Sequence, residues 1–350
     1  MSRYNIALVG AGVIGRHHGL VISQLSSVVS LTAVVDVVLE RAEALASSRG
    51  GRPYSSLAEA LVSEEIDIVV VCTPTGLHGT VAIEALAAGK HVIVEKPAEI
   101  TVARTDEIIA ARDKADKLVT VISQHRFDPS TVQVLEAIRS GQFGRVSSGI
   151  AAIDWWRGQS YYDSGDWRGT WELDGGGALM NQGVHTVDLL VAALGRPVEV
   201  FAYTGTLAHE RIEVEDVATG VVRFESGALG VLHATTSAYP GLSARLQVHG
   251  DRGSAVIDND ALAFFHATPV GEPTEEKLMG TTQALSGGAS AVGANPGSLG
   301  DAHRLQYLNF IAALDGKERL VVDLETNRQS IAVITGAYES ARTGKPVRLA

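Results

Sequence analysis

Asn5-Ile6-Ala7-Leu8-Val9-Gly10-Ala11-Gly12-Val13-Ile14-Gly15 joins an apolar, strand-forming run to glycines spaced G-x-G-x-x-G. A helix-forming stretch follows at Val13–Gln24. Each glycine has its own task in this pattern. The first permits a tight turn, the second lets backbone approach a pyrophosphate, and the third lets the helix pack on the strand. The N–H groups of Val13 and Ile14 and the positive end of the helix dipole then face the phosphates. Glycine also marks ordinary turns, so the motif alone decides little. Its strand–turn–helix setting, and Asp36 at the end of the second strand, favour dinucleotide binding over a plain turn. A carboxylate at Asp36 accepts from adenosine ribose hydroxyls and repels a 2′-phosphate, which favours NAD over NADP. Its structural alternative is to cap the helix that begins at Leu39.

Outward from this point, short Val/Ile-rich runs alternate with helical stretches. The strands are expected at Asn5–Val9, Leu31–Asp36, Ile66–Cys72, His91–Glu95 and Leu118–Ile122, five in all. Helices are expected near Val13–Gln24, Leu39–Ser47, Leu57–Val62, Leu77–Ala88 and Val102–Ala115. Runs apolar on both faces suit a parallel sheet covered by helices, so residues 1–123 read as a doubly wound, Rossmann-type α/β domain. Residues 124–350 change character. After a helix near Pro129–Ser140, closed by Gly141, strands dominate at Val146–Asp154, Val198–Tyr203, Val217–Phe224, Ala228–Thr235, Ala244–His249 and Ser254–Asp258. Turn dipeptides such as Ser226-Gly227 and Arg252-Gly253 favour antiparallel pairing. One helix, Gly176–Leu194, interrupts them, the Gly280–Gly300 stretch reads as a mobile loop, and helices near Ala302–Leu314 and Glu325–Thr343 close the chain. The second domain is therefore expected to be α+β with a large, mainly antiparallel open sheet for substrate binding and oligomerisation, the closing helices free to return to the first domain.

Composition narrows the function. A chain of 350 residues with 45 % hydrophobic and 20 % charged residues can pack two ordinary cores. A net charge of −11 opposes nucleic-acid binding. No apolar run approaches a bilayer's width, so neither membrane nor nucleic acid is an expected partner. The single cysteine, Cys72, rules out an intrachain disulfide and suits a reducing cytoplasm.

Chemistry-bearing residues gather where strands end at the sheet's carboxyl edge, the ligand edge of doubly wound folds. Thr73 and Pro74 follow the third strand, and His78 joins them in the expected cofactor set. Glu95-Lys96-Pro97 ends the fourth strand, and Glu95 and Lys96 complete that set. Removing hydride from a carbinol requires its hydroxyl proton to leave, and a lysine of lowered pKa can take it. A surface lysine beside a turn is the plain alternative for Lys96. In the second domain, Leu173-Asp174-Gly175-Gly176-Gly177 precedes Asn181, His185 and Asp188, which share one helical face at spacings of four and three. The glycines would let backbone approach a ligand. A core histidine held by Asp188 is the structural alternative, and Asn181 argues against a transition-metal site. Trp155, Trp156, Tyr161, Tyr162 and Trp167 crowd one segment. They suit stacking on sugar rings or, one by one, an apolar plug.

Together these motifs resemble the Gfo/Idh/MocA oxidoreductases, the family of glucose-fructose oxidoreductase and inositol dehydrogenase. The likeness runs through the glycine motif, Thr73-Pro74, Glu95-Lys96-Pro97, the helix of Asn181 and His185, and the closing Tyr338-Glu339-Ser340-Ala341. It implies Lys96 as proton acceptor and His185 at the reacting hydroxyl. Many members carry Asp where this chain has Asn181, which shifts acid–base work onto Lys96 and His185. Trp167-Arg168-Gly169-Thr170-Trp171, with Asn181-Gln182 on the helix, is similar to a branch acting on nucleotide sugars, glycosides and inositols. Arg126, Trp167, Arg168 and His303 join Asn181 as expected substrate contacts; for Arg126 and Arg168, interdomain ion pairs are the alternative. The resemblance implies NAD-dependent oxidation of a carbohydrate ring hydroxyl by a homodimer or homotetramer. Two rivals stay open: an NAD-dependent glycosidase working through transient oxidation, and a non-catalytic NAD-sensing regulator, which Lys96 and His185 disfavour.

Overall fold

The computed structural model describes residues 4–271 and 299–349, which group into two units. The first comprises residues 4–124, 172–175 and 299–328, the second residues 125–171, 176–271 and 329–349. Residues 280–298 of the expected Gly280–Gly300 loop lie outside the described residues. No helix among the described residues is long and apolar enough to cross a membrane.

In the first unit strand and helix alternate: β1 (Tyr4–Val9), α1 (Val13–Gln24), β2 (Val29–Val35), α2 (Leu39–Arg49), β3 (Arg52–Tyr54), α3 (Leu57–Ser63), β4 (Ile68–Val71), α4 (His78–Ala87), β5 (His91–Val94), α5 (Val102–Ala115) and β6 (Val119–Val121). Local chemistry sets the helix ends. Ser56 and Thr101 accept the N–H groups of Glu59 and Arg104, capping α3 and α5. Asp116 then turns left-handed (φ +52°) and stops α5. Among the described residues the sheet has six parallel strands in the order β3-β2-β1-β4-β5-β6. The reading from sequence had five. The sixth is β3, three residues with Pro53 at their centre, which the edge position tolerates. All four residues of β4 are buried, as helices on both faces require. The chain runs from β1 outward to β3 and returns at β4 on the other side of β1. In doubly wound sheets such a reversal, at the strands' carboxyl ends, is where ligands bind.

The second unit contains α6 (Pro129–Arg139), β7 (Val146–Asp154), α7 (Gln159–Tyr162), α8 (Val184–Leu194), β8 (Pro197–Gly205), β9 (Val217–Phe224), β10 (Leu229–Thr235), β11 (Ala244–Gly250), β12 (Gly253–Asp258) and β13 (Ala261–Ala267). The closing elements are α9 (Leu299–Leu314), in the first unit, α10 (Leu324–Thr343) and β14 (Val347–Arg348). Eight strands among the described residues form a sheet in the order β13-β12-β11-β7-β10-β9-β8-β14, antiparallel except between β7 and β10. Sheet and fold class are as expected, with β13 and β14 added. Alternation along β9 and β10 buries one face, where Val222, Phe224, Leu232 and Ala234 join Val187, Leu190 and Val191 of α8 in the core. The opposite face leaves Val221, Leu229 and Val231 open to solvent.

Candidate active site

The glycine loop divides its labour. Gly10 turns left-handed (φ +99°), and a Cβ on it would stand 2.5 Å from the Cys72 carbonyl oxygen. A Cβ on Gly15 would stand 1.8 Å from the Gly10 carbonyl oxygen. These two glycines close the protein on itself. A Cβ on Gly12 would meet nothing within 4 Å, so open space lies over the loop at that point. Gly12 is also the N-cap of α1, with no side chain capping the first turn and no acidic residue in it. The N–H groups of Val13 and Ile14 thus retain the character of an anion site. Asp36 accepts the Ala11 N–H at 2.8 Å through Oδ2 and the Val38 N–H at 2.9 Å through Oδ1. It therefore ties the glycine loop to the end of β2 and steadies the approach to α2. The Thr73 hydroxyl, buried beside Pro74, has no hydrogen-bond partner among the described residues. An open cradle, an uncapped helix start and an orphaned hydroxyl on one sheet edge all fit a dinucleotide.

His78, expected in the cofactor set, opens α4. It is buried, with Nδ1 2.8 Å from the Pro97 carbonyl and Nε2 2.9 Å from the Thr73 carbonyl. Burial pushes its pKa down against the pull of those carbonyls. Both ring nitrogens are turned to backbone, so His78 braces the Thr73-Pro74 turn against the Lys96-Pro97 turn.

Glu95 also faces inward. Its Oε1 lies 2.8 Å from His18 Nε2, and its Oε2 accepts the Lys96 N–H at 2.9 Å. His18 Nδ1 lies 2.7 Å from the Tyr307 hydroxyl. Burial holds the Tyr307 phenol protonated, its pKa raised. A chain in which Tyr307 donates to His18 and His18 donates to Glu95 satisfies all three groups. Burial opposes ionisation of Glu95, but the His18 hydrogen bond and nearby cationic charge prevail and bring its pKa to about 2. The carboxylate, expected in the cofactor set, anchors the backbone of Lys96. His303, expected at the substrate, is buried in the same unit, with Nε2 3.9 Å from Glu95 Oε1 and its ring 4.6 Å from that of His17.

In the second unit the expected helix Gly176–Leu194 is broken. Ala178–Gln182 forms a π-helical turn, closed by the Gly183 N–H on the Ala178 carbonyl at 2.8 Å, and α8 starts only at Val184. Asn181 lies in the wide turn and His185 in α8, so the simple four-residue spacing does not relate them. The glycines before the turn approach protein: a Cβ on Gly176 would sit 2.2 Å from the Tyr338 hydroxyl, and one on Gly177 1.7 Å from the Glu215 carbonyl. Buried Glu215 accepts the N–H groups of Gly177 and Leu179 and the Tyr338 hydroxyl. Its burial outweighs those bonds and raises its pKa to about 7.

Arg126 is held by Asp188, its Nε and Nη2 donating to the two carboxylate oxygens at 2.6 and 2.7 Å. The pair is buried within the second unit, so it serves α8. Arg168 lies 4.4 Å from the ring centres of both Tyr161 and Trp167 and donates to the Tyr161 hydroxyl at 2.8 Å. Gln182 donates to that same hydroxyl at 3.1 Å and to Asn181 Oδ1 at 2.9 Å. Trp167, Arg168 and Asn181 thus belong to one polar and aromatic network. Tyr162 is core, bonded to Thr236, and Trp155 packs on the core. The sequence reading missed His18, Tyr307 and Glu215, and had Gln182 only beside Asn181 in the branch resemblance. Only the adjoining His17-His18 within α1 signalled unusual chemistry there.

Residues 4–123 match the family model of the GFO/IDH/MocA oxidoreductases described as an NAD-binding Rossmann fold. Residues 131–256 match that of the GFO/IDH/MocA C-terminal domain. Myo-inositol 2-dehydrogenase of Thermotoga maritima is 30 % identical over 73 % of this chain and 75 % of its own length. Levoglucosan dehydrogenase of Pseudarthrobacter phenanthrenivorans is 27 % identical over 74 % of each. The WlbA dehydrogenase of Bordetella pertussis, solved with NADH and UDP-GlcNAcA, superposes with a TM-score of 0.85 at 33 % identity over 99 % of each chain. The chain therefore belongs to the Gfo/Idh/MocA family of oxidoreductases, with the NAD-binding Rossmann fold of that family in its first unit.

Proposed function

We propose that the protein is an NAD-dependent dehydrogenase that oxidises a ring hydroxyl of a carbohydrate, with a nucleotide-linked sugar as the favoured substrate. One observation carries this reading: Tyr307, His18 and Glu95 form a buried chain that ends on the backbone N–H of Lys96. A surface lysine needs no such anchor, whereas a proton acceptor does, because a small misplacement costs much of the rate.

NAD supplies the hydride acceptor. The N–H groups at the start of α1 hold its phosphates, Gly12 gives them room, Asp36 takes the ribose hydroxyls and Thr73 offers the orphaned hydroxyl. Lys96, as a neutral amine, takes the substrate's hydroxyl proton while the carbinol C–H leaves as hydride. His185 orients that hydroxyl and shares the proton. Asn181 cannot take a proton, so it orients substrate through its network with Gln182 and Tyr161. Arg168, between two aromatic rings, offers a preorganised cation for a sugar carboxylate or hydroxyl. Arg126 holds the helix of His185 through Asp188. Similarity over the full length to a dehydrogenase solved with UDP-GlcNAcA supports the nucleotide sugar.

The test is a screen of UDP-linked uronates, free sugars, inositols and glycosides for net NADH formation. Turnover highest on a UDP-linked uronate supports the reading. Release of free sugar without net NADH would replace it with the glycosidase.

A further inference from the structure

Residues 124–127 form a single tight turn that presents two neighbouring side chains to α8. Arg126 takes Asp188, and His125 takes His185, one turn earlier on the helix: the two imidazole rings lie 5.0 Å apart, edge to face at 84°. The Arg126 pair fixes the helix. The His125 contact falls on the residue that handles the substrate's hydroxyl in the proposed function, on which this inference rests.

His125 is gripped from two elements at once. Its Nδ1 hydrogen-bonds Asp128 Oδ2 at 2.8 Å and lies 3.0 Å from Asp260 Oδ1 as an ion pair. Neither carboxylate does the work its position ordinarily asks. Asp128 is the N-cap of α6, ahead of Pro129, and would normally accept an N–H of the first helical turn. It makes no such bond. Asp260 is the second residue of the tight turn joining β12 to β13. Asn259 and Asp260 both have positive φ there (46° and 64°), and glycine is the ordinary choice for that second place. A glycine would relieve the strain and lose the carboxylate. The Asp260 carbonyl is in turn pinned by the Ser130 hydroxyl at 2.7 Å, which fastens the hairpin to α6.

We propose that His125 is a positioning residue for His185: a cation locked between Asp128 and Asp260 that fixes the His185 ring and keeps it neutral. Burial alone would discharge His125, but its two carboxylates overcome that and raise its pKa to about 9. The charged groups around His125 are Asp128, Asp260 and the Arg126–Asp188 pair; the last neutralises itself, the two carboxylates lie on His125 Nδ1, and it is the His125 ring that meets the His185 ring. His185 also lies in the first turn of α8, where the helix dipole opposes a second positive charge. Both influences act in one direction. A neutral His185 can accept and return the hydroxyl proton, and a cationic one cannot.

The experiment is an NMR titration of the His185 imidazole in the full-length protein, paired with the pH profile of kcat/KM. In the wild type His185 should titrate below the ordinary histidine value of about 6.5. His125→Gln should raise that titration by about one pH unit or more. His125→Arg, which restores the charge without the imidazole, should keep it low. Asp128→Asn with Asp260→Asn keeps the ring and removes its charge along with both carboxylates, so it should raise the His185 titration by less than His125→Gln does. The acidic limb of kcat/KM should move with the titration. An unmoved His185 titration in folded His125→Gln overturns the inference. A titration that moves while the kcat/KM profile stays fixed upholds the coupling and overturns the assignment of His185 to proton handling.

Discussion

Glu95 Oε1 stands 2.8 Å from His18 Nε2 in the interior of the first unit, and this contact sets the pH dependence of the lysine's anchor. The Glu95 pKa falls from 4.5 to about 2 on folding. A depressed carboxyl pKa stabilises the fold fully above its unfolded value and loses that effect as pH falls through the folded value. Glu95→Gln, which removes the carboxylate charge, should therefore cost about 3 kcal/mol near neutral pH, the worth of that shift at about 1.4 kcal/mol per pH unit. The deficit relative to wild type should shrink as pH drops from 4.5 toward about 2. Denaturant unfolding across pH checks this; a deficit independent of pH would contradict it.

The cofactor cradle makes a second prediction. A Cβ at Gly12 enters open space, so Gly12→Ala should fold with an unchanged Tm and bind NAD about tenfold or more weakly, a loss near 1.4 kcal/mol. Gly15→Ala meets the Gly10 carbonyl and should lose stability as well. Calorimetry should also find NAD preferred to NADP, the gap narrowing in Asp36→Ser with Val37→Arg. Equal affinities in the wild type would refute the role of Asp36.

Much of this was legible. The G-x-G-x-x-G run, its flanking strand and helix, and the buried Val/Ile strands describe a local pattern that folding had only to honour. β3 escaped because Arg52-Pro53-Tyr54 pairs only at the sheet edge, and proline argues against a strand anywhere else. The π-helical turn escaped because its cause is remote: Glu215 draws in the N–H groups of Gly177 and Leu179 from 38 and 36 residues away. The same reason hid the link from Tyr307 through His18 to Glu95, whose members lie 289 and 77 residues apart. Motif residues were visible one by one, whereas the contacts that give Arg126, His78 and Glu95 their duties are set by the tertiary fold.

Arg126 and Asp188 supply a third prediction. Arg126→Met alone leaves a buried carboxylate without its partner and should cost about 3–5 kcal/mol. Pairing it with Asp188→Leu should recover most of that loss, because two apolar side chains replace two charges. Urea unfolding of both variants decides it. Equal losses in the single and double variants would show that the pair does not act as a unit.

The outer face of the second sheet leads to a fourth. Val221 and Leu229 are 54 % and 58 % exposed on adjacent strands, a patch that suits a second copy of the chain. Light scattering should find a dimer or tetramer at micromolar protein, and Val221→Glu with Leu229→Glu should yield folded monomer. A wild-type monomer would contradict the proposal.

The central claim is that Lys96 takes the substrate's proton, and the variant Lys96→Met tests it most directly. The change keeps much of the side chain's bulk and removes the amine, while the Lys96 N–H that Glu95 holds is untouched. General base catalysis contributes roughly 10²–10⁴-fold, so single-turnover NADH formation should fall by that order. NAD affinity and Tm should stay near wild type. A folded, NAD-loaded Lys96→Met protein that forms NADH at the wild-type rate across pH would contradict the account.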